Sequence, residues 1–585
     1  MNNLNFLVDV LKESPVFKTL EKNVKPGRTV CASGLSTINK SNIIYALCRL
    51  KGVTAFCLAS DEKEAQTLCN DLSCMGLRAY VYPVRDFNFL DFQSRSHEYE
   101  HARLKVLLKL LNHECDVAIA CVDAAAQLTV PRNVLEQSVI EFEEGRELSL
   151  EKATKTLTLL GYERFDAVEG SGQFSLRGGI LDFFMPDSDY PVRCEFWGDE
   201  ITDLSYFDIE TQRRFKKADK ITLSPSTEIV IEDRAALADK IEHKAKLLRS
   251  KNSAKAKEKL FSEAELIRSG AMIANADKFI NQIYDKPESL FDYLDRNTLV
   301  FASEFTAIQE RGKSMDFISN ETLMQGFEDG TLCRGFDRFA LTFNECTEFL
   351  QSHGTIVLEN FVHGSMPIKL SEIISFSTKQ LSAWGGSYKQ LKEDVDGLFT
   401  PESKGVIFAG TERAAKNLCD TFNADGINAV YSEGADKISK GELLVMQGAL
   451  SAGFEYPSQK FFAITYSQVS YRPEKSKKKK KKTGQEIYSL SELAPGDYVV
   501  HNVHGIGVFG GIRKIDTHGV IKDYIKIDYA KGDVLYVPVT QLDMVAKYIG
   551  PKEDSRVKLN RLGSGDWQKA KARVKTVSYT HLRAH

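Results

Sequence analysis

Nowhere in the 585 residues do two cysteines form a Cys-x-x-Cys pair, and none of the eleven lies beyond Cys419. An odd, scattered set argues against both a disulfide framework and a zinc site, and for a reducing compartment. No apolar run reaches the ~18 residues of a membrane helix. Met1-Asn2-Asn3-Leu4-Asn5 lacks the charged and apolar regions of a secretory signal. A cytoplasmic protein without membrane contact is expected. Neither sign of charge is in excess, with 77 Lys plus Arg against 80 Asp plus Glu and a formal net charge of −3. No global field draws the molecule onto nucleic acid, so such contact needs a local patch. Catalytic signatures are missing too: there is no Gly-x-Ser-x-Gly elbow, no His-Glu-x-x-His and no Cys/His grouping at metal spacing. His501 and His504 lie in a strand–turn region, where a solvent-facing or turn-bonded histidine is commoner than a ligand. The composition that remains, 43% hydrophobic and 27% charged, is that of a globular protein. At ~150 residues per domain the length predicts roughly four domains.

Strand–helix alternation over residues 1–130 predicts a parallel sheet, with strands at Thr29–Ala32, Thr54–Leu58, Ala79–Tyr82 and Val117–Ala120. Between Gln173 and Phe207 short strands broken by Gly178-Gly179 and Gly198-Asp199-Glu200 predict an antiparallel meander, a separate module or an insertion. Residues 229–330 read as helical and charged, and 331–470 as a further α/β segment. The run from Lys475 to Lys482, seven lysines in eight positions, reads as a solvated, self-repelling linker rather than a phosphate-binding tail. Residues 493–548 are strands again, with glycine turns at short intervals, which describes a strongly bent sheet or barrel.

Gly34-Leu35-Ser36-Thr37-Ile38-Asn39-Lys40-Ser41 follows a strand and opens a helix, the context of a nucleotide phosphate loop. Asn39 stands where a second glycine would let the backbone close on phosphates without a Cβ in the way. The matching Asp-Glu strand, Thr298 to Glu304, carries Ser303 in place of the Asp that would hold Mg²⁺. Gly312-Lys313-Ser314 lacks its first glycine and reads as a helical turn. Two complementary defects argue against hydrolysis by this loop, so no catalytic residue, metal or cofactor is expected.

Gly161-Tyr162-Glu163-Arg164, Gly172 to Phe184, Arg193 to Ile201 and Phe207-Asp208 form a series. It resembles the UvrA-binding domain shared by the excision-repair protein UvrB and the bacterial transcription-repair-coupling factors (Mfd family). The segment after Cys121 is too short for the aromatic β-hairpin with which UvrB clamps damaged DNA. Pro495 to His501, His504-Gly505-Ile506-Gly507 and Leu535-Tyr536-Val537-Pro538 resemble the RNA-polymerase-interacting domain of the coupling factors, which CarD-type regulators share.

The resemblance implies a multi-domain α/β protein. Its parts are a UvrB-like module with a degenerate P-loop (1–128 and 229–330), an inserted antiparallel α+β UvrA-binding domain (129–228) and a third α/β domain (331–470). A lysine-rich linker (471–492) and a small Tudor/CarD-like β-barrel (493–550) follow. Residues 551–576 resemble the start of the helix that leads into the family's motor, and 577–585 read as a foreign tail. The family's ATP- and Mg-dependent double-stranded-DNA translocase lobes and its regulatory domain lie beyond this sequence.

The expected role is the recruitment half of a coupling factor, linking stalled RNA polymerase to UvrA. The rivals are an ATPase in its own right and a UvrB-type damage binder. By match to the motifs, Arg164 and Arg177 are the cationic candidates for the UvrA contact and Phe184 its apolar anchor. Within the residues alone, Arg177 could instead pair with Asp182 or Glu195, and Phe184 could be core. For the polymerase β subunit the docking edge is Gly510 to Asp516, with Ile515 as the exposed contact and Arg513 and Lys514 steering. Alternation predicts that one of Ile512 and Ile515 faces outward if no bulge intervenes.

Overall fold

A computed structural model describes residues 4–466, except 86–97, 139, 210, 249–253, 271–275, 363–365 and 382–387. Further on it describes 484–486, 559 and 495–548, the last without 502–503, 518–519, 531–532 and 539–544. The chain divides into two compact units, Met1–Ser470 and Tyr471–His585.

The first unit is built on a seven-stranded parallel sheet. Its strand order is Glu372–Ser375, Val30–Ser33, Thr355–Leu358, Leu299–Ser303, Ala55–Ala59, Val117–Cys121 and Ala79–Tyr82. The predicted strands are all here, within a residue or two. Val30–Ser33, Ala55–Ala59, Val117–Cys121 and Thr355–Leu358 are buried along their whole length. Helices cover both faces, which is why these strands read as apolar runs and not as alternating ones.

The division expected at 330/331 does not separate two sheets. Two strands from beyond it, Thr355–Leu358 and Glu372–Ser375, flank Val30–Ser33. What the composition marks at 330 is a helix end: Phe305–Asp329 stops at Gly330, whose φ of +69° closes the C-terminus. The sheet that follows has the order Lys379–Leu381, Gly453–Tyr456, Phe461–Thr465, Lys404–Phe408, Glu442–Met446 and Ala429–Tyr431. It shares an apolar core with the first, in which Phe6, Tyr45, Phe454 and Phe461 are buried together. Polar ties cross the same boundary. Asn42 Nδ2 donates to Tyr456 Oη at 3.0 Å, and both N and Oγ of Ser451 donate to Asp71 at 2.7 Å. Burial pushes Asp71 up to about 6 against these hydrogen bonds.

The insertion is a six-stranded sheet in the order Arg214–Lys217, Glu200–Phe207, Val192–Trp197, Ile180–Phe183, Gln173–Arg177 and Glu163–Arg164. It is antiparallel except for the last pair, which is parallel. Its chain enters and leaves through a two-stranded ribbon, Ile140–Glu143 against Lys220–Leu223. The return is pinned to the parallel sheet by a buried ion pair: Arg103 Nε donates to Glu228 Oε1 at 2.7 Å, and Thr129 Oγ1 donates to Oε2 at 2.6 Å. Burial alone would raise Glu228, but Arg103 and Arg85 hold its carboxyl below the usual range.

The second unit holds six antiparallel strands in the order Gly484–Glu486, Val545–Tyr548, Tyr498–His501, Gly505–Thr517, Val520–Asp528 and Val534–Pro538. Gly484–Glu486 pairs with Val545–Tyr548, so the segment read as linker, 471–492, contains a strand of this sheet. Among the described residues the two end strands do not pair with each other. The core is small: Val499, Phe509, Ile525, Ile527, Tyr529, Val537 and Val545. Apart from Leu559, residues 551–585 lie outside the described residues, and with them both segments expected there.

Candidate binding surfaces and the closed phosphate loop

The loop Gly34–Ser41 sits where a phosphate loop should, between the strand Val30–Ser33 and the helix Thr37–Lys51. Two of its backbone donors are already used. Gly34 N donates to Asn360 O at 3.2 Å and Leu35 N to Glu359 O at 3.1 Å. The carbonyl of Gly34 accepts from Thr378 Oγ1 at 2.7 Å. Gly34 has φ +78°, and a Cβ there would lie 2.3 Å from Phe376 O. The glycine thus serves backbone packing against residue 376. Ser36 Oγ donates to Asn39 Oδ1 at 2.6 Å, and Ser41 Oγ donates to Thr37 O at 3.3 Å.

Lys40 is 1% exposed. Its ammonium reaches Ser303 Oγ at 2.9 Å, Glu304 Oε1 at 2.5 Å and Glu64 Oε1 at 3.4 Å. Ser303 stands at the end of the strand expected to carry the Mg²⁺-holding Asp, and it donates onward to Glu64 at 2.6 Å. Glu304 takes a left-handed backbone, φ +55°, at the strand-to-helix junction. Burial would raise Glu64, but Lys40 and hydrogen bonds from Ser303 and Ser60 hold its carboxyl down. A third acid, Glu359, is fully buried and accepts from Phe305 N at 2.8 Å. Burial, with Glu304 close by, pushes it up to about 7. One ammonium thus faces three carboxyls, a field that repels polyphosphate.

The raised Glu359 has a stability consequence with a definite sign. An unfolded glutamate releases its proton near 4.5, whereas the folded one keeps it until about 7, so stability falls as pH rises through that window. Glu359→Gln removes the titration. The variant is expected to melt above the wild type at pH 8, and the advantage should vanish by pH 4.5. Equal pH profiles would show that Glu359 titrates normally.

On the inserted sheet, Gln173, Ser175, Arg177, Asp182, Arg193, Glu195 and Asp203 share the face away from the core, by strand register. Asp182, 1% exposed, is held by Arg193 through two bonds at 2.7 and 2.8 Å and by Arg177 Nη2 at 2.8 Å. Arg193 lies over the Phe207 ring at 4.4 Å. Arg177 therefore keeps the internal pair considered from sequence, yet half of its side chain stays exposed.

Arg164 is exposed and sits opposite Phe174. Phe184 is half-buried beside Gln173, whose carbonyl accepts its N–H at 3.0 Å. These two flank the start of Gln173–Arg177, and Arg177 ends it, about 13 Å along the strand. The structure thus places one candidate of the three apart from the other two. Sequence reasoning missed Arg193, Glu64 and Glu359. Arg193 had a signal, since it alternates in phase with Glu195 on the polar face. The two acids, 24 and 319 positions from Lys40, had none.

In the second unit the strand Gly505–Thr517 bulges at Gly510-Gly511, where its register with Val520–Asp528 shifts. A Cβ on Gly510 would lie 2.6 Å from Asp528 Oδ2, and Gly511 has φ +92°. Among the described residues, past Phe509 the strand pairs only with Ile525 back to Val520 and leaves its other side open. Ile512 is 46% exposed and Arg513 is exposed. The register puts Ile512 opposite Ile525 and Ile515 opposite Lys522. The side chains of Lys514 and Ile515 lie outside the described residues. His501 is turn-bonded, accepting from His504 N at 3.3 Å, and burial then His504 push it down to about 4. Among the described residues no group of acids, histidines and cysteines could hold a metal ion. No helix there is long and apolar enough to cross a membrane.

The geometry defines a multi-domain α/β protein with two separate sheet modules that carry exposed cationic and apolar side chains. Residues 140–229 match the UvrB interaction domain, and residues 493–549 match the CarD-like/TRCF RID domain. Over 97% of its length the chain is similar, at 29% identity, to the transcription-repair-coupling factor of Bacillus subtilis, of which it covers 49%. The factors of Staphylococcus haemolyticus (28% identity over 85% of the chain, 43% of that protein) and Staphylococcus aureus (25% over 98%, 49% of that protein) give the same picture. The resemblance read from the motifs is upheld. The chain spans about half the length of the curated relatives it matches.

Proposed function

We propose that this chain is a non-catalytic recruitment arm in transcription-coupled repair, holding RNA polymerase through residues 493–549 and UvrA through 140–229. One observation carries the reading: both matched modules occur on a single chain. The second module closes on this reading into the small barrel expected from its motifs. Its edge past Gly511 adds to the sheet of the polymerase β subunit, a mode that needs an open strand side and an approachable backbone. The first module presents Arg177, with Arg164 and Phe184 further along, to a carboxylate-bearing surface of UvrA. The degenerate phosphate loop binds no ATP or Mg, and the chain works in the cytoplasm. ATP-driven translocation on double-stranded DNA is left to the part of the family that this sequence does not span.

Capture tests the arm as a whole. The immobilised chain is expected to retain RNA polymerase and UvrA together. Retention of either without the other would reduce it to a single-partner binder. Arg177→Ala is expected to weaken the UvrA complex more than tenfold and leave the circular dichroism unchanged, because Asp182 keeps both bonds from Arg193. Unfolding of this variant would make Arg177 a structural residue.

A further inference from the structure

The side chain in the inserted sheet with the largest exposed apolar area lies outside the motif residues argued so far. Trp197 is 82% exposed. It ends the strand Val192–Trp197, and the two-residue turn Gly198-Asp199 leads to its register partner Glu200. Phe196 beside it is 8% exposed and belongs to the core. Period-two alternation thus sends the larger ring outward. A single exposed apolar side chain is ordinary. A tryptophan at this exposure, on a rigid turn, has the signature of a binding anchor: large area, two rotatable bonds and little entropy to lose.

Its position makes the case. Arg177 is also the last residue before a two-residue turn, Gly178-Gly179, and pairs with Ile180, which pairs with Glu195. Both turns lie at the same end of the sheet, held together by Phe196 N donating to Gly179 O at 2.8 Å. Arg177, Ile180, Glu195 and Trp197 share one face. Two strand spacings and two residues of rise put Arg177 and Trp197 about 12 Å apart, within one interface core. Between them Gly179 has no room for a side chain, since a Cβ would lie 2.8 Å from Phe196 O. On the shared face the half-buried Ile180 and Glu195 fill the space between cation and indole.

We infer that Trp197 is the apolar anchor of the surface whose cation is Arg177, and that this end of the sheet is where UvrA seats, with an apolar slot for the indole beside a carboxylate for Arg177. This rests on the proposed assignment of residues 140–229 to UvrA, and it moves the contact from the Phe184 end of the sheet to the Trp197 end.

The test uses the full chain. The sequence has three tryptophans, Trp197, Trp384 and Trp567, so Trp384→Phe with Trp567→Phe leaves Trp197 as the only site for 5-fluorotryptophan. Unlabelled UvrA is expected to shift or broaden that fluorine resonance. Trp197→Ala is expected to weaken the complex at least tenfold with an unchanged thermal midpoint, and Trp197→Phe less. An unmoved resonance, with Trp197→Ala within twofold of wild type while Arg177→Ala still costs tenfold, overturns the anchor and leaves the UvrA assignment standing. Absence of any UvrA binding by the wild-type chain overturns both. Unfolding of Trp197→Ala would also count against the anchor, because a residue this exposed should not carry the fold.

Discussion

Replacing Ile512 by Arg is expected to weaken binding of the chain to the RNA polymerase β subunit more than tenfold while the melting of residues 484–548 shifts by no more than ~8 °C. The argument starts at the bulge. Gly510-Gly511 interrupts the register, and beyond it the strand has, among the described residues, one hydrogen-bonded neighbour and one open side. A partner strand added there would lie against Ile512, which already exposes 46% of its surface. An Arg at that seam puts an uncompensated cation where water is excluded, at a cost of about 3 kcal/mol or more. In the free protein the same guanidinium reaches solvent, so the fold loses only part of one apolar contact with Ile525, worth at most ~1 kcal/mol. Ile515→Arg is the companion measurement. The backbone register sets Ile512 opposite Ile525 and Ile515 opposite Lys522, with no shift between them. Loss with Ile512→Arg alone assigns the docking face to the Ile525 side. Loss with Ile515→Arg alone assigns it to the Lys522 side. Full binding by both variants would place the polymerase contact off this strand.

The parallel sheet was legible because each strand is an apolar run bounded by helix, a local signal strong enough to survive without partners. Its strand order was not. Thr355–Leu358 lies between Val30–Ser33 and Leu299–Ser303 through contacts more than fifty positions apart in the chain, and nothing in Thr355-Ile356-Val357-Leu358 says which sheet it joins. The same holds for Gly484–Glu486. A lysine run hides the three residues whose pairing with Val545–Tyr548 makes them part of the second unit. A fragment cut at 490 would therefore lack an end strand. Motifs fared better than boundaries, because Gly178-Gly179 and Gly510-Gly511 encode turns and bulges that only local sequence specifies. At the phosphate loop the missing glycine and the missing Asp were visible. The replacement was not, since Glu64 and Glu359 reach Lys40 only through the fold.

That replacement sets the other large effect. Lys40→Ala is expected to destabilise the first unit by about 3 kcal/mol, because removing one partner of a buried ion pair leaves the other charge without compensation. The figure sits at the low end of that class because Glu304 keeps 27% of its side chain exposed, against 10% for Glu64. Glu304 also retains a bond from Asn360 N at 3.0 Å. Glu64 retains bonds from Ser60 N and Oγ at 2.9 and 2.6 Å, yet it loses the ammonium paired with it. The loss should grow as pH rises and shrink as it falls. Without the ammonium, burial raises the Glu64 carboxyl unopposed by its ion pair, so the variant's stability falls as pH rises through its titration. Hydrogen exchange in the helix Thr37–Lys51 and the strand Leu299–Ser303 reads the effect where it arises, without assuming that a chain of several domains melts in one step. Lys40→Met with Glu64→Gln and Glu304→Gln should recover most of the loss, since neutral partners of similar volume need no ammonium. A nucleotide-holding loop predicts the reverse pattern. Its lysine would wait for phosphate, Lys40→Ala would leave exchange in the apo chain unchanged, and ATP would bind the wild type at micromolar concentration but not the variant. ATP titration of both proteins beside the exchange experiment separates a lysine that holds the fold shut from one that holds a ligand.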